Sequence, residues 1–199
     1  MDKYTQAIKK EAPLQNQGGD NKYTGDFLNI VNYKNWDIVN FPDSVIMLPY
    51  MKHEGYVLLR LEQIPTYEYK YKSTAHPEFK NTNMYLTSIS GVIDPGETPE
   101  QAVRRELYEE AGLILSSIYP IEVEKNLFMN KGTTSQYYIC LLELNFNDYR
   151  FTTPIGDGSD IEKNSKTIKL DLKYIDDIKT FDLITDYMLL KLKYEYNIK

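Results

Sequence analysis

Glu106, Glu109 and Glu110 fall within five positions of one another. In a helix they share one side: Glu106 and Glu110 are one turn apart, and Glu109 is the i+3 neighbour of Glu106. Carboxylates so close repel one another unless cations sit among them. Hard divalent ions such as Mg²⁺ or Mn²⁺ prefer carboxylate oxygen. A diphosphate also needs cations to neutralise it, so the same ions can serve protein and substrate. They can polarise a phosphoryl group, activate a water and stabilise a leaving oxygen. Taken alone, the three glutamates read as readily as a solvated acidic helix face.

Their setting decides between the two. Thr98-Pro99-Glu100-Gln101 has the form of a helix start. Thr98 can cap, Pro99 suits the first helical position and Gln101 completes a capping box. Gly112 is a natural stop just past the end. Residues 91–113 read GVIDPGETPEQAVRRELYEEAGL. Gly91 is followed by five residues, Glu97, seven more residues, and then Arg105-Glu106-Leu107-Tyr108-Glu109-Glu110-Ala111-Gly112-Leu113. This gapped pattern resembles the signature of the Nudix hydrolases, with every specified position filled. The resemblance implies a metal-dependent hydrolase that splits the diphosphate link of a nucleoside diphosphate derivative. It implies that Glu106, Glu109 and Glu110 serve Mg²⁺ or Mn²⁺, that Glu97 pairs with Arg105 to brace the loop, and that the carbonyl of Ser90, before the signature glycine, can also bind metal. It implies an α/β/α sandwich.

The elements needed to position these residues are legible around them. Val45–Met51 reads as a strand, His53-Glu54-Gly55 as a tight turn and Tyr56–Gln63 as the hairpin partner. Residues 27–41 suggest one or two short strands, 65–82 a long excursion, and Met84–Ser90 a strand feeding the signature loop. The stretches 115–129 and 135–145 each read as strands, 146–165 as a polar loop and Thr167–Leu172 as a short alternating strand. From about Thr180 to Tyr196, the residues Leu183, Tyr187, Leu190 and Tyr194 recur at helical spacing, which predicts an amphipathic helix with that stripe inward. The order fits an α/β fold, a mixed sheet with helices on both faces.

The run from Trp36 to Ile64 resembles the ADP-ribose pyrophosphatase-like Nudix proteins. Trp36-Asp37-Ile38-Val39, Asp43–Tyr50, Leu58-Leu59 and Glu62-Gln63-Ile64 occur in that order. The branch implies a homodimer with N-terminal strands crossing to the partner and aromatics stacking on the base, for which Trp36 is the candidate. Arg60 and Gly91 join Trp36 as candidate substrate-binding residues. An acidic pair in the late loop, one residue apart, is implied to supply a base and a metal contact, and Asp160 and Glu162 have that spacing. Three positions depart from the branch. Pro65 stands where an arginine helps hold substrate, Thr87-Ser88-Ile89-Ser90-Gly91 replaces Glu-x-x-Ala-Gly, and Met129–Ser135 lacks the proline of a Ser-Pro-Gly loop. These leave the catalytic core intact and open the question of substrate.

The 199 residues suffice for one domain, expected over 23–199 with residues 1–22 as a mobile polar tail. A net charge of −6 without a long basic run argues against nucleic acid as the main partner, and so against RNA decapping. It does not argue against a small phosphorylated substrate, because bound metals reverse the local sign. Cys140 is the single cysteine and lies in an apolar run, so a buried structural thiol is expected. No stretch is apolar enough to span a membrane and no secretory leader is evident, so a cytoplasmic location is expected. ADP-ribose or a nucleotide sugar is the leading substrate expectation. Dinucleoside polyphosphate or NADH hydrolysis remains open, as does a Nudix-fold sensor that binds without cleaving, although sensors tend to lose signature carboxylates.

Overall fold

Ser44–Met51 carries apolar side chains in both alternating sets, which only a strand buried on both faces can accommodate. It is the centre of the molecule. The computed structural model describes residues 20–24, 29–63, 84–127, 132–156, 164–178, 180 and 182–195. In chain order the strands are β1 (Asp20–Thr24), β2 (Asn29–Tyr33), β3 (Trp36–Asn40), β4 (Ser44–Met51), β5 (Tyr56–Gln63), β6 (Met84–Thr87), β7 (Ile89–Val92), β8 (Leu113–Leu115), β9 (Glu124–Leu127), β10 (Tyr137–Glu143), β11 (Tyr149–Phe151) and β12 (Lys166–Asp171). Helix α1 spans Pro99–Ala111 and α2 spans Leu183–Glu195, with a 3₁₀ helix over Leu172–Asp177.

The main sheet is mixed. β4 runs parallel to β10 along its length, and the other pairings are antiparallel. β4 and β5 pair only beside their turn, at Tyr50–Val57 and Met51–Tyr56. The two strands then separate, and the run 84–92 fills the gap: β6 lies along β5 and β7 along β4. The single strand expected over Met84–Ser90 is therefore two, switching partners at Ser88. Buried Ser88 bonds there to Thr185 of α2, its N–H donating over 2.8 Å to Thr185 Oγ1. The separation opens the sheet beneath α1, where Gly91 and Arg60 lie.

Strand alternation sorts the core into two layers. Val45, Met47 and Met51 of β4, with Leu58 of β5, face Val103 and Leu107 of α1. Ile46, Leu48 and Tyr50, with Val57, Leu59 and Leu61, face Ile184, Met188 and Leu192 of α2. Each fully buried leucine or methionine contributes about 1.5–3 kcal/mol by leaving water. The result is the expected α/β/α sandwich.

Two further expectations are revised. The stripe Leu183, Tyr187, Leu190 and Tyr194 faces outward, with Leu183 78% and Tyr194 73% exposed. The neighbouring set Ile184, Met188, Leu189 and Leu192 is buried instead. The helix is apolar around most of its circumference, so spacing alone could not choose the face. β1 also begins at Asp20, inside the stretch read as a polar tail. β1, β2 and β3 form a separate three-stranded sheet, joined to the remainder through Val39 and Thr133. Residues 1–19 and the excursion at 65–82 lie outside the described residues. Among the described residues no helix is long and apolar enough to cross a membrane.

Candidate active site

The carboxylates are set in place by the ends of α1. Thr98 and Gln101 close the expected capping box: Gln101 N–H donates to Thr98 Oγ1 over 3.3 Å, and Thr98 N–H donates to Gln101 Oε1 over 2.8 Å. At the other end Gly112 adopts a left-handed φ of 60°, and a Cβ there would fall 2.1 Å from the Thr152 carbonyl oxygen. Ala102, Val103, Leu107 and Ala111 pack on the sheet and fix the rotation of the helix. That rotation drives two charged residues inward, leaving Glu106 only 8% and Glu110 only 7% exposed. Buried carboxylates are rare unless paired or ligating a metal.

Gly91 makes room for one of them. A Cβ at this position would lie 1.8 Å from Glu106 Cδ, so the Glu106 carboxylate occupies the space a side chain would need. Gly91 is thus a cradle for the Glu106 carboxylate. Ser90 precedes it in β7, paired with Ile46.

Arg105 gathers the rest. Its Nε and Nη2 donate to the two oxygens of Glu97 over 3.0 and 2.9 Å. Nη1 donates to Glu106 Oε1 over 2.6 Å and to Glu109 Oε2 over 3.1 Å. Nη2 also donates to the Val92 carbonyl over 2.7 Å. Glu97 in turn accepts from Asp94 N–H over 3.1 Å. The Glu97–Arg105 brace implied by the signature is therefore present, and it ties helix to loop. The Arg105 hydrogen bonds hold the Glu97 carboxyl below its ordinary range. Glu97, and then Glu106 and Glu109, raise the guanidinium further above its ordinary value, so it stays charged.

Glu110 belongs to a second arginine. Arg60 follows Leu58 on the α1-facing side of β5 and is 4% exposed. Its Nη1 donates to the Glu110 carbonyl over 3.0 Å, and its Nε stands 3.6 Å from Glu110 Oε2. A residue so enclosed touches the helix from beneath. Thr167 Oγ1 donates to the same Glu110 carbonyl over 3.0 Å, and Gly156 N–H donates to the Glu109 carbonyl over 3.0 Å. Asp160 and Glu162 lie outside the described residues. The segments on either side of them, at Gly156 and Thr167, are anchored on the backbone of two signature glutamates. Sequence reasoning missed these anchors, since a backbone carbonyl leaves no mark in residue type.

Trp36 is elsewhere. It stands 62% exposed where β2 turns into β3, a turn in which Lys34 and Asn35 take positive φ, and it belongs to the small sheet. Thr134, from the stretch compared with a Ser-Pro-Gly loop, ties that sheet down through a 2.6 Å bond from its hydroxyl to Asn40 Oδ1. Cys140 is buried as expected, and burial pushes its thiol up to about 12.

Among the described residues no group of three acidic, His or Cys side chains is arranged to hold a metal. Arg105 lies between Glu106 and Glu109, and Arg60 flanks Glu110. The donor set nevertheless suits a hard divalent ion, being carboxylate and carbonyl oxygen around a glycine cradle. Arg105 already marks the place where positive charge is wanted.

The family model of the NUDIX domain matches residues 42–164. The chain belongs to the Nudix family. It is a Nudix pyrophosphohydrolase, and the signature residues described above fall inside the match. No curated protein sequence matches the chain. Among solved structures, an ADP compounds hydrolase superposes with a TM-score of 0.61 at 15% identity, over 90% of this chain and 92% of that one. At that identity the likeness is one of fold. It extends well beyond the signature to nearly the whole length of both proteins.

Proposed function

We propose that this Nudix protein is a metal-dependent hydrolase of a nucleoside diphosphate derivative, with ADP-ribose or a nucleotide sugar as the substrate class. One observation carries the reading: buried Glu106 is seated on Gly91 and held, with Glu97 and Glu109, around a single guanidinium. Burying carboxylates in this way serves no core-packing purpose. The superposed ADP compounds hydrolase supports the choice of substrate class.

Glu106, Glu109 and Glu110, with the Ser90 carbonyl, would hold Mg²⁺ or Mn²⁺. When bound, such an ion neutralises the diphosphate and makes a water more acidic. The chain's own residues do the remaining work. Glu97 and Arg105 keep the loop at 92–98 fixed to α1, so that the diphosphate meets a preformed site. A carboxylate accepts the proton of the attacking water as its oxygen bonds to one phosphorus and the bridging P–O bond breaks. Asp160 and Glu162 are the proposed partners in this step, with Glu109 the signature alternative. For ADP-ribose the products are AMP and ribose 5-phosphate. We also propose a homodimer in which the small N-terminal sheet, with exposed Trp36, meets the partner.

A panel of ADP-ribose, nucleotide sugars, NADH and dinucleoside polyphosphates, each with Mg²⁺ and with Mn²⁺, tests the reading. Phosphate released after phosphatase treatment gives the rate. ADP-ribose or a nucleotide sugar should be turned over fastest. Preference for NADH or a dinucleoside polyphosphate would move the substrate assignment, and binding of ADP-ribose without turnover would convert the enzyme to a sensor.

A further inference from the structure

Arg60 carries a guanidinium inside the sheet layer, between Leu58 and Glu62 on one face of β5. Position 87 lies directly across from it in the β5–β6 register. The branch resemblance would place a glutamate there, and this chain has Thr87, whose hydroxyl turns to Asp182 over 3.3 Å. The anions within reach of Arg60 are instead Glu62, 3.4 Å from Nε, and Glu110, 3.6 Å from Nε. The guanidinium also bonds the Glu110 backbone. It therefore hydrogen-bonds the Glu110 carbonyl through Nη1 and stands at ion-pair distance from the Glu110 carboxylate, while its Nε donates to Glu62. The last turn of α1 contains no basic residue of its own, so Arg60 supplies from below the positive charge that a helix C-terminus favours.

We propose that Arg60 is a positioning residue of the metal site, which fixes Glu110 from within the core so that its carboxylate is presented to a divalent ion in one orientation. This rests on the reading of Glu110 as a metal ligand. A planar fork suits the task where an ammonium does not, because one N–H holds the Glu110 carbonyl while another holds Glu62, which fixes the guanidinium charge beside the Glu110 carboxylate. Partners that orient a ligating carboxylate typically affect metal affinity 10–100-fold.

The test is Mn²⁺ binding without substrate, followed by the electron paramagnetic resonance of free Mn²⁺, for wild type, Arg60→Lys, Arg60→Met and Glu110→Gln. Thermal unfolding of each variant is measured alongside. Arg60→Met should weaken Mn²⁺ binding at least about tenfold. Arg60→Lys keeps the buried charge and hence the fold, but loses the fork that holds the Glu110 carbonyl and Glu62 together, and should weaken binding severalfold with little change in melting temperature. If Arg60→Met fails to fold, Arg60→Lys decides alone. A purely structural arginine would lower melting temperatures and leave Mn²⁺ affinity at the wild-type value, and that result overturns the proposal. Glu110→Gln separates the two failures. If it weakens Mn²⁺ binding and the Arg60 variants do not, only the positioning role falls. If it binds like wild type, Glu110 is not a ligand and the metal-site reading falls with it.

Discussion

Helices α1 and α2 have the same length, 13 residues each, cover opposite faces of one sheet, and break the pattern of polar outside and apolar inside in opposite ways. α1 turns Glu106 and Glu110 inward. α2 turns Leu183, Tyr187, Leu190 and Tyr194 outward. The energetic meaning differs. An exposed leucine is common on any protein and needs no compensation. A buried carboxylate requires it, and α1 provides it through Arg105, Arg60, a glycine cradle and two anchored segments at its C-terminal end. Misplaced charge is thus the more informative departure, since it persists only where other residues have been recruited to sustain it.

The largest expected effect strikes the charged helix. Glu106→Gln or Glu110→Gln keeps size and removes charge, and turnover should fall by about two orders of magnitude or more with metal binding falling in parallel. Near-normal steady-state rates in either variant would erase the contrast between the helices. Gly91→Ala comes next. Its Cβ would intrude 1.8 Å from Glu106 Cδ, so stability should drop about 1–3 kcal/mol, as for an overpacked core, and turnover at least about tenfold as the ligand is displaced. Urea unfolding together with kinetics reads both, and a silent substitution would mean that the glycine is not a cradle.

Smaller effects sharpen the α2 side. Leu189→Ala should destabilise by about 2–4 kcal/mol, whereas Leu190→Ala, one residue on, should stay within about 0.5 kcal/mol. Similar losses at both positions, by urea unfolding, would show that the outward stripe is covered in solution. The last effect depends on pH. The folded Glu97 carboxyl is held below its ordinary 4.5, so its bond to Arg105 contributes stability above that value and loses it as pH falls through the depressed one. Glu97→Gln should therefore lower stability by about 1–2 kcal/mol near neutral pH and by progressively less towards about pH 3. A pH-independent difference would show that the brace is not ionic.

Sequence legibility follows the same division. The bounds of α1 were readable because capping is local chemistry: Thr98, Pro99, Gln101 and Gly112 each satisfy the backbone within a few residues. Tyr56–Gln63 was readable from its turn and its β-forming residues. The rotation of α2 was not, because two adjacent stripes are both apolar and only the sheet decides which one is buried. The division of 84–92 at Ser88 was hidden because it depends on β4 and β5 separating. Arg60 was visible as a charge in an apolar strand, but its direction, towards Glu110, required the register of β5 beneath α1.

In the proposed function, α1 holds a divalent ion where its own arginine now gathers the carboxylates. Anomalous diffraction from a crystal soaked in Mn²⁺ tests it most directly. A peak is expected that is bounded by oxygens of Glu106, Glu109, Glu110 and the Ser90 carbonyl, with Arg105 still on Glu97 but released from Glu106 and Glu109. A peak remote from these residues, or Arg105 unmoved in a crystal that binds Mn²⁺ elsewhere, would contradict it.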